Sequence, residues 1–599
     1  MCGIVGYLGE NKASDIILSG LEKLEYRGYD SCGIFFFDQE NHDFVMYKDK
    51  GRVAHLIEDF NYDSMNHLAI GHTRWATHGK PNMTNSHPHF SSTKRFSLVH
   101  NGVIENYKEL IAKFIPNAEF VSETDTEVVA NLIEHFSATL TVEESIRKTL
   151  SLIEGSYALL IIDTSTPDKI YAAKNKSPLL IGTGKNGIAL ASDVMALVGN
   201  AECYYPIDDK TFTVVEKIGN DYLYHMYDII GTPVKIELIK MDMVLDEIGK
   251  AGFSHYMLKE ICEQPNVIRK IVSQYYSDEL FKIKPKVINM IDKAERIYII
   301  AAGTSMHAGY VGKYYFENIS KKHTEVFIAS EFAYNMPLLD SNPVFIFISQ
   351  SGETADLRAC LLNVKQLGHP TLTITNVPTS TLARESDAFL EIYAGPEIAV
   401  ASTKAYVGQV AILSILAYVI AKKKPFDLHV ELSKVAVAME AIIDKREYIH
   451  SLVRDKITKR NCFYIGRGLD YYTCLEAALK LKEISYIQTE GFAAGELKHG
   501  TIALIEDGVP VIAIISQRNI NNNTRANVRE VLSRGAEVII ISINDVSEVS
   551  DEIILMDVHE ILSPLVTVIP TQLIAFYSAL DLGKDIDKPR NLAKSVTVE

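Results

Sequence analysis

The feature that most constrains the fold is a strand–helix–strand pattern that occurs twice in the second half of the 599-residue chain. Apolar runs of strand composition alternate there with helical stretches, as expected for a parallel sheet covered by helices. The predicted strands are 296–302, 344–349 and 370–375 in the first copy, and 461–465, 510–516 and 536–542 in the second. Because parallel strands need crossover connections, the pattern predicts two tandem α/β doubly wound parallel-sheet domains, at 285–425 and 455–590.

Matching landmarks in the two copies are separated by nearly constant intervals. Gly303 and Gly466 lie 163 residues apart, and Ser349 and Ser516 lie 167 residues apart, each serine being followed by glutamine. Such spacing indicates an internal duplication of one structural unit.

Residues 2–240 have a different pattern, with many short strands and few helices. The segments of strand composition are 2–8, 32–38, 68–72, 96–101, 157–163 and 188–192, and helical periodicity appears at 14–24 and 124–137. This pattern predicts a sheet-rich α+β domain.

The two halves are joined by residues 241–284, which are charged and helical. A segment of this kind is typical of a linker, and we interpret it so. Residues 591–599 form a short C-terminal tail. The apolar stretch 405–421 contains Gln409 and ends at three lysines, so it is predicted to be a buried helix rather than a membrane span.

Composition excludes several classes of function. A net charge of −16 gives no electrostatic argument for a nucleic-acid or anionic-membrane partner. The seven cysteines are scattered and no histidine cluster has metal-ligand spacing, so neither disulfides nor a metal site is expected. The N-terminus lacks the pattern of a signal peptide, and we expect a cytoplasmic protein.

Cys2 is the first candidate for catalysis because it directly follows the initiator methionine. Removal of that methionine leaves an α-amino group, with a pKa near 8, on the same residue as a thiol, where it can act as the base for the nucleophile. Position alone favours the alternative, in which Cys2 is merely the small first residue of a strand.

Polar groups that could bind and activate a substrate lie at the ends of two predicted strands and at the start of one predicted helix. Arg74 suits bidentate capture of a carboxylate. Asn101 and the backbone N–H of Gly102 suit an oxyanion hole. Asp125, at a helix start, suits a substrate ammonium, although helix capping is the alternative role for this residue.

Five motifs in this half resemble the N-terminal-nucleophile glutaminase domain of class II amidotransferases. They are Cys2-Gly-Ile-Val-Gly, Tyr26-Arg-Gly-Tyr-Asp-Ser31, Arg74-Trp-Ala-Thr-His-Gly79, His100-Asn-Gly102 and Ser122-Glu-Thr-Asp-Thr126. The resemblance implies Cys2 as nucleophile, Asn101 and Gly102 as the oxyanion hole, Arg74 and Asp125 on the α-carboxylate and α-amine of glutamine, Thr77 and His78 lining the pocket, and Trp75 gating an ammonia passage. A plain core position is the alternative for Trp75.

The repeated half contains a candidate phosphate site where its second predicted strand ends. The run from Ser349 to Thr354 places hydroxyls and free N–H groups at a helix N-terminus, which favours anions. Thr304 would add another hydroxyl. A simple helix cap is the alternative, and the second copy lacks the glycine and the second hydroxyl, so one phosphate site is expected.

The second copy contains a different candidate cluster. In a helix, Glu476, Lys480 and Glu483 lie on one face, which alone is typical of a solvated salt-bridged surface. His499 is a candidate acid–base group further along the chain.

Together the two halves resemble the glutamine–fructose-6-phosphate aminotransferase family over essentially the whole chain. The resemblance implies L-glutamine and D-fructose 6-phosphate as substrates, no cofactor and a homodimer. The implied sugar-phosphate residues are Thr304, Ser305, Ser349, Gln350, Ser351, Thr354, Val400 and Ser402. Of the implied catalytic residues, Lys594 forms a Schiff base, Glu483 moves a proton between C1 and C2 with help from Lys480, and His499 opens the sugar ring from a neighbouring subunit.

Two alternatives use parts of the same pattern. A phosphoribosyl-pyrophosphate amidotransferase shares the Cys2 domain but needs a diphosphate-binding half. A sugar-phosphate-sensing regulator shares the isomerase-type domains, but it has no use for the set formed by Cys2, Arg74, Asn101 and Asp125.

Overall fold

The computed structural model describes residues 2–75, 78–241 and 249–597. The chain divides into two units, Met1–Gly249 together with Ser595–Glu599, and Lys250–Lys594. Each unit is described separately below.

Within the described residues, the first unit contains an eight-stranded and a six-stranded sheet, each with antiparallel neighbours throughout. The strands are β1 (Gly3–Gly9), β2 (Ser31–Asp38), β3 (Asp43–Asp49), β4 (Leu68–Arg74), β5 (His89–Phe90), β6 (Phe96–Ile104), β7 (Gly155–Asp163), β8 (Lys169–Asn175), β9 (Leu180–Gly184), β10 (Gly187–Ala191), β11 (Cys203–Pro206), β12 (Thr211–Ile218), β13 (Asp221–Asp228) and β14 (Ile239–Lys240). The helices are α1 (Ala13–Leu24), α2 (Val53–Asp59), α3 (Tyr107–Phe114), α4 (Thr126–Ser137) and α5 (Val142–Leu150). The sheet orders are β14-β11-β9-β10-β1-β4-β2-β3 and β13-β12-β8-β7-β6-β5.

Apolar residues from both sheets share one core, so the two sheets pack face to face. Ile4 and Ile70 of the larger sheet are buried in the same cluster as Leu160 and Ile170 of the smaller sheet. Helix α1 covers the outer face of the larger sheet, and α4 covers that of the smaller one. This layered arrangement confirms the predicted sheet-rich α+β domain.

In the second unit, two five-stranded parallel sheets repeat the same order. A small hairpin, β15 (Tyr276–Ser277) and β16 (Leu280–Phe281), precedes them. The first sheet contains β17 (Arg296–Ala301), β18 (His323–Ile328), β19 (Pro343–Ser349), β20 (Thr371–Thr375) and β21 (Ala388–Glu391). The second sheet contains β22 (Asn461–Gly466), β23 (Gln488–Ala493), β24 (Pro510–Ile515), β25 (Glu537–Ile543) and β26 (Ile553–Leu555). The orders, β18-β17-β19-β20-β21 and β23-β22-β24-β25-β26, are identical in topology. The predicted duplication of doubly wound domains is confirmed.

Helices surround both sheets. They are α6 (Tyr256–Tyr275), α7 (Pro285–Lys293), α8 (Gly303–Tyr315), α9 (Ala329–Tyr334), α10 (Ala355–Gln366), α11 (Thr381–Glu385), α12 (Lys404–Ile420), α13 (Leu428–Ile443), α14 (Arg446–Lys456), α15 (Leu469–Ser485), α16 (Asn521–Leu532) and α17 (Ser563–Asp581). In each sheet the strand order reverses next to the first strand, β17 or β22. Ligands of doubly wound folds bind at the carboxyl ends of the strands at this switch point.

Helix α6 lies within the stretch that the sequence suggests is a linker. Its apolar residues Met257, Ile261 and Ile268 are buried in the core of the second unit. The segment therefore contributes a packed helix to this unit in addition to connecting the halves.

In the part of the chain that the structure describes, one apolar helical segment, Glu560–Asp581, is long enough to cross a membrane, but 94% of its most apolar window is buried inside the structure. It includes α17, which packs against α15 and α14. This segment is therefore buried to the extent expected of a helix in a protein core. The stretch 405–421 is likewise the buried helix α12, as predicted.

A buried ion pair outside the candidate site provides a test of the second sheet. Asp551 accepts two hydrogen bonds from the Arg525 guanidinium, at 2.9 and 2.7 Å, and both side chains are buried. Removing one partner of such a pair costs about 3–5 kcal/mol.

We expect Asp551→Asn to lower the free energy of unfolding by about that amount, measured by urea denaturation. The matched control is Asp545→Asn, because its partner Arg518 is exposed and pairs of that kind contribute about 0–1 kcal/mol. Equal stability of the two variants would contradict this account.

Candidate active sites

Strand register places Cys2 beside the loop that follows β4. Strands β1 and β4 are antiparallel with Gly3 opposite Thr73, and the Gly3 N–H donates to Thr73 Oγ1 at 3.1 Å. The backbone N–H of Trp75 donates to Cys2 Sγ at 3.2 Å. Burial raises the pKa of the Cys2 thiol, with Arg74 acting in the opposite direction. The thiol therefore needs a base in order to act as a nucleophile.

Strand β6 of the facing sheet brings Asn101 and Gly102 to the same place. Asn101 Nδ2 donates to the carbonyl oxygen of Cys2 at 3.0 Å. Gly102 has φ +132, and a Cβ there would lie 2.0 Å from the carbonyl oxygen of Ser156, so only glycine fits. The two predicted oxyanion-hole residues thus lie next to the candidate nucleophile.

Arg74 and Asp125 complete a charged group around Cys2. The Arg74 guanidinium lies within electrostatic reach of Cys2, Asp30 and Asp125, and it donates to the carbonyl oxygens of His78, Gly79 and Lys80. Asp125 makes no capping hydrogen bond at the start of α4; instead it accepts from the Ile104 N–H at 2.7 Å. The capping alternative for Asp125 is therefore wrong.

The remaining predicted residues of this site follow Arg74 directly in the chain. Thr77 lies outside the described residues. His78 is half-buried, with its ring 6.0 Å from that of Tyr107. Trp75 is also half-buried and meets the ring of Tyr29 edge-on at 6.0 Å.

A row of buried histidines packs together near this site, and no motif in the sequence predicts it. The rings of His72 and His87 stack at 4.1 Å, His89 meets His87 at 4.6 Å, and the His100 N–H donates to His87 Nδ1 at 3.2 Å. Burial lowers the pKa of all four imidazoles, to about 3 for His72. These four histidines pack as neutral side chains. The only feature of the sequence that could indicate the row is an alternation of histidines along neighbouring strands.

In the second unit, the charged face predicted on α15 is buried. Glu476 is 0% exposed and Lys480 is 1% exposed, so the solvated-surface interpretation is wrong. Lys480 Nζ lies 2.5 Å from Glu483 Oε1 and 3.4 Å from Glu476 Oε1, and it donates to Thr304 Oγ1 at 2.8 Å. His307 Nδ1 lies 2.7 Å from Glu476 Oε2.

The electrostatics of this cluster favour a proton-transfer role for Glu483. Burial raises the pKa of Glu483, while Lys480 and Lys594 oppose that shift. Burial opposes the charge of Lys480, but Glu476 and Glu483 outweigh it and raise the pKa of Lys480. Glu483 is thus an unusually basic carboxyl within reach of two ammonium groups.

The predicted phosphate loop lies at the switch point of the first parallel sheet. It links β19 to α10, and Ser349 Oγ lies 2.9 Å from Thr354 Oγ1 and accepts from the Gly352 N–H at 3.0 Å. The carbonyl oxygen of Gln350 accepts from the Asn376 N–H at 3.1 Å, and Ser351 Oγ accepts from the Glu353 N–H at 3.2 Å. Gly352 has φ +65, which suits the tight turn.

Thr304 and Ser305 lie at the start of α8, after β17, on the other side of that switch point. Ser305 Oγ accepts from Gln409 Nε2 at 2.9 Å. The predicted hydroxyls therefore come from the two loops where doubly wound domains bind ligands.

The corresponding loop of the second sheet is already occupied by a carboxylate. Ser516, the counterpart of Ser349, donates its N–H to Asp470 Oδ2 at 2.8 Å, and its hydroxyl donates to Asp470 Oδ1. Burial raises the pKa of Asp470 to about 7. An internal acid thus occupies the anion position of the second copy.

Lys594 is buried against the turn at 397–402. Its Nζ donates to Glu397 Oε2 at 2.6 Å and to the Ala399 carbonyl oxygen at 2.8 Å. Ser402 Oγ also donates to Glu397 Oε2, at 2.9 Å, and the Val400 N–H donates to the Asp587 carbonyl oxygen at 2.9 Å. Three predicted sugar-site residues are thus brought together.

His499 lies apart from this cluster, in a short 3₁₀ helix, Glu496–His499, and it is exposed.

Comparison with known proteins agrees with this division into two functional halves. A glutamine amidotransferase domain model matches residues 72–199, and an SIS domain model matches residues 290–419 and 457–581. Glutamine–fructose-6-phosphate aminotransferases (isomerizing) of Listeria monocytogenes and Bacillus cereus are 52% and 53% identical to this chain, over all of both chains. The C-terminal domain of glucosamine-fructose-6-phosphate aminotransferase from Francisella tularensis is 35% identical, with a TM-score of 0.55, over 57% of this chain and all of that one.

The domain models define the class of protein, a glutamine amidotransferase domain followed by a pair of SIS domains. With relatives this similar over the full length, the chain belongs to the glutamine–fructose-6-phosphate aminotransferase (isomerizing) family.

The buried histidines predict that the first unit loses stability in acid. Their pKa values are lower in the folded than in the unfolded state, where they are near 6.5, so below that pH the unfolded chain binds more protons. Each histidine then removes about 1.4 kcal/mol of unfolding free energy per pH unit, until the pH reaches its folded pKa.

The fluorescence of Trp75, the single tryptophan of the chain, reports urea unfolding of this unit. We expect the unfolding free energy of the wild type to fall from pH 7 to pH 5. The fall should be less steep in His87→Gln. In the control His42→Gln, which alters an exposed histidine, the slope should equal that of the wild type. A flat profile in the wild type would contradict neutral packing.

Proposed function

We propose that this chain converts D-fructose 6-phosphate and L-glutamine into glucosamine 6-phosphate and glutamate. The observation that carries the proposal is that the buried amine of Lys594 lies within electrostatic reach of the basic carboxyl of Glu483, in the unit that contains the phosphate loop. An amine and a nearby base are what imine formation and proton transfer at a ketose require. The family assignment supports the same reaction.

In the first unit, we assign ammonia release to Cys2. Its thiol attacks the glutamine amide carbon, with its own α-amino group, freed by removal of Met1, as the base. Asn101 and the Gly102 N–H stabilise the oxyanion, ammonia leaves, and water hydrolyses the thioester to glutamate. Arg74 and Asp125 hold the α-carboxylate and α-ammonium of glutamine, and Thr77 and His78 line the pocket.

In the second unit, the hydroxyls of the two switch-point loops bind the phosphate of the sugar. They belong to Thr304, Ser305, Ser349, Ser351 and Thr354, with Gln350 beside them. Val400 and Ser402 line the sugar itself. One phosphate site is proposed, because Asp470 takes the corresponding donors in the second copy.

The chemistry at the sugar then follows from three side chains. Lys594 forms an imine with C2 of the open-chain ketose, with loss of water. Ammonia then adds at C2 and displaces the Lys594 amine, which leaves an imine of ammonia at C2. Glu483 finally moves a proton from C1 to C2 while Lys480 supports its charge, and the product leaves as the aldose. Each step uses side chains alone, so no metal or organic cofactor is proposed.

His499 is assigned to ring opening across a homodimer, because its exposed position suits action on a neighbouring copy. Ammonia must avoid protonation in bulk water, so an enclosed passage is needed, and Trp75 is proposed as its gate. None of the seven cysteines, all of which the structure describes, is in a disulfide, which supports a reducing, cytoplasmic location.

The first test compares the wild type with Cys2→Ala for glucosamine 6-phosphate formation from glutamine and fructose 6-phosphate. We expect product from the wild type and none from the variant, because no other thiol has the same position beside Asn101. Cys203→Ala, which removes a half-buried thiol from the same unit, is the control and should retain activity. Glutamine hydrolysis without sugar amination in the wild type would leave the glutaminase assignment but overturn the sugar substrate.

A second test separates the two chemistries. Glu483→Gln should lower product formation by about 10²–10⁴-fold, the usual contribution of a general base, while glutamine hydrolysis continues. Undiminished synthesis by this variant would remove Glu483 from the proton transfer.

A further inference from the structure

The position of the Lys594 amine depends on one short turn of the second unit. Both of its acceptors, the Glu397 carboxylate and the Ala399 carbonyl oxygen, belong to that turn, and the Lys594 side chain is 3% exposed. Movement of the turn would therefore move the amine.

Two elements hold this turn. On one side, Glu397 Oε1 accepts from the N–H groups of Thr403 and Ala405, at 2.9 and 3.0 Å, where α12 begins. On the other side, Glu260 of α6 accepts from the N–H groups of Ile398 and Ala399, at 2.5 and 3.1 Å, through its Oε1. Glu260 is 2% exposed, so it is a buried acid beneath the turn.

The charges around Glu260 favour its neutral form. Burial and the neighbouring Glu397 raise the pKa of Glu260 to about 8, against the opposing effect of Lys594 and Lys404. Its Oε2 is buried and has no hydrogen-bond partner, donor or acceptor, among the residues that the structure describes. Burial alone would raise the pKa of Glu397, but Lys594 and the backbone N–H groups outweigh it and lower that pKa, so Glu397 is the ionised partner.

We propose that Glu260 is a positioning residue for the Lys594 amine, acting by holding the 397–399 turn as an uncharged acid. The inference rests on the proposed function, in which Lys594 forms the imine. Glu260 itself touches no reacting atom in this account.

A neutral Glu260 matches the charge balance of imine formation. The Lys594 ammonium loses one proton to become the attacking amine, and the carbinolamine gains a proton as its hydroxyl leaves as water. The resulting iminium has the same single positive charge as the ammonium, so Glu397 balances both states. A second carboxylate at Glu260 would stabilise the ammonium and slow release of its proton.

The experiment measures the rate at which borohydride traps fructose 6-phosphate on Lys594, read by mass spectrometry of the full-length protein from pH 7 to pH 9. The variants are Glu260→Asp and Glu260→Gln. Arg269→Gln is the matched control, because Arg269 lies on the same helix and its exposed guanidinium pairs with Glu440. Glutamine hydrolysis by each variant reports the integrity of the other unit.

Aspartate is one methylene too short to reach both N–H groups, so Glu260→Asp should trap at least about tenfold more slowly than the wild type. Glutamine keeps the acceptor but cannot ionise. Glu260→Gln should therefore match the wild type within about twofold at pH 7, and its rate relative to the wild type should rise towards pH 9.

Wild-type trapping rates and pH dependence in both variants would overturn the inference while leaving the proposed function intact. If Glu260→Asp also unfolds at lower temperature, Glu260→Gln decides, since a pH profile identical to the wild type excludes the uncharged-acid role. Absence of label on Lys594 in the wild type would instead overturn the proposed function, and this inference with it.

Discussion

The buried ammonium of Lys480 joins the two copies of the parallel-sheet domain. It lies on α15 of the second copy, between the carboxylates of Glu476 and Glu483, and it also donates to Thr304 at the start of α8 in the first copy. A buried charge is tolerated only when its partners surround it, and breaking such a pair is costly. The arrangement therefore fixes the helix that carries Glu483 relative to the loop that carries Thr304, one of the hydroxyls proposed to bind phosphate.

Most of the architecture could be predicted from the sequence because both halves repeat simple rules. Strand composition at 296–302 and 510–516 is unambiguous, since buried parallel strands are continuous apolar runs. In the first unit, β1 and β6 begin within one residue of their predicted starts. Cys2 and Asp125 lie next to the starts of β1 and α4, as predicted. Asn101 lies inside β6 instead, because that strand continues to Ile104, beyond its predicted end at residue 101.

Other features could not be predicted because they depend on contacts between distant segments. Glu260 lies in a charged stretch that is typical of a linker, and only the folded chain places it beneath Ile398 and Ala399. The face with Glu476 and Lys480 has the pattern of a surface helix, since periodicity cannot distinguish a solvated face from a buried charge cluster. Asp470 is a further case, because nothing near it in the sequence indicates that it accepts hydrogen bonds from Ser516.

The internal acid at Asp470 also bears on how the duplicated half diverged. In the first copy the loop after β19 is the proposed anion site, whereas in the second copy the donors of the corresponding loop are taken by a side chain. The second copy carries Lys480 and Glu483 instead, so neither copy alone contains both the hydroxyl loops and the group proposed for proton transfer. A single copy cut out of this chain would therefore hold only half of the proposed sugar site, although its sheet is complete.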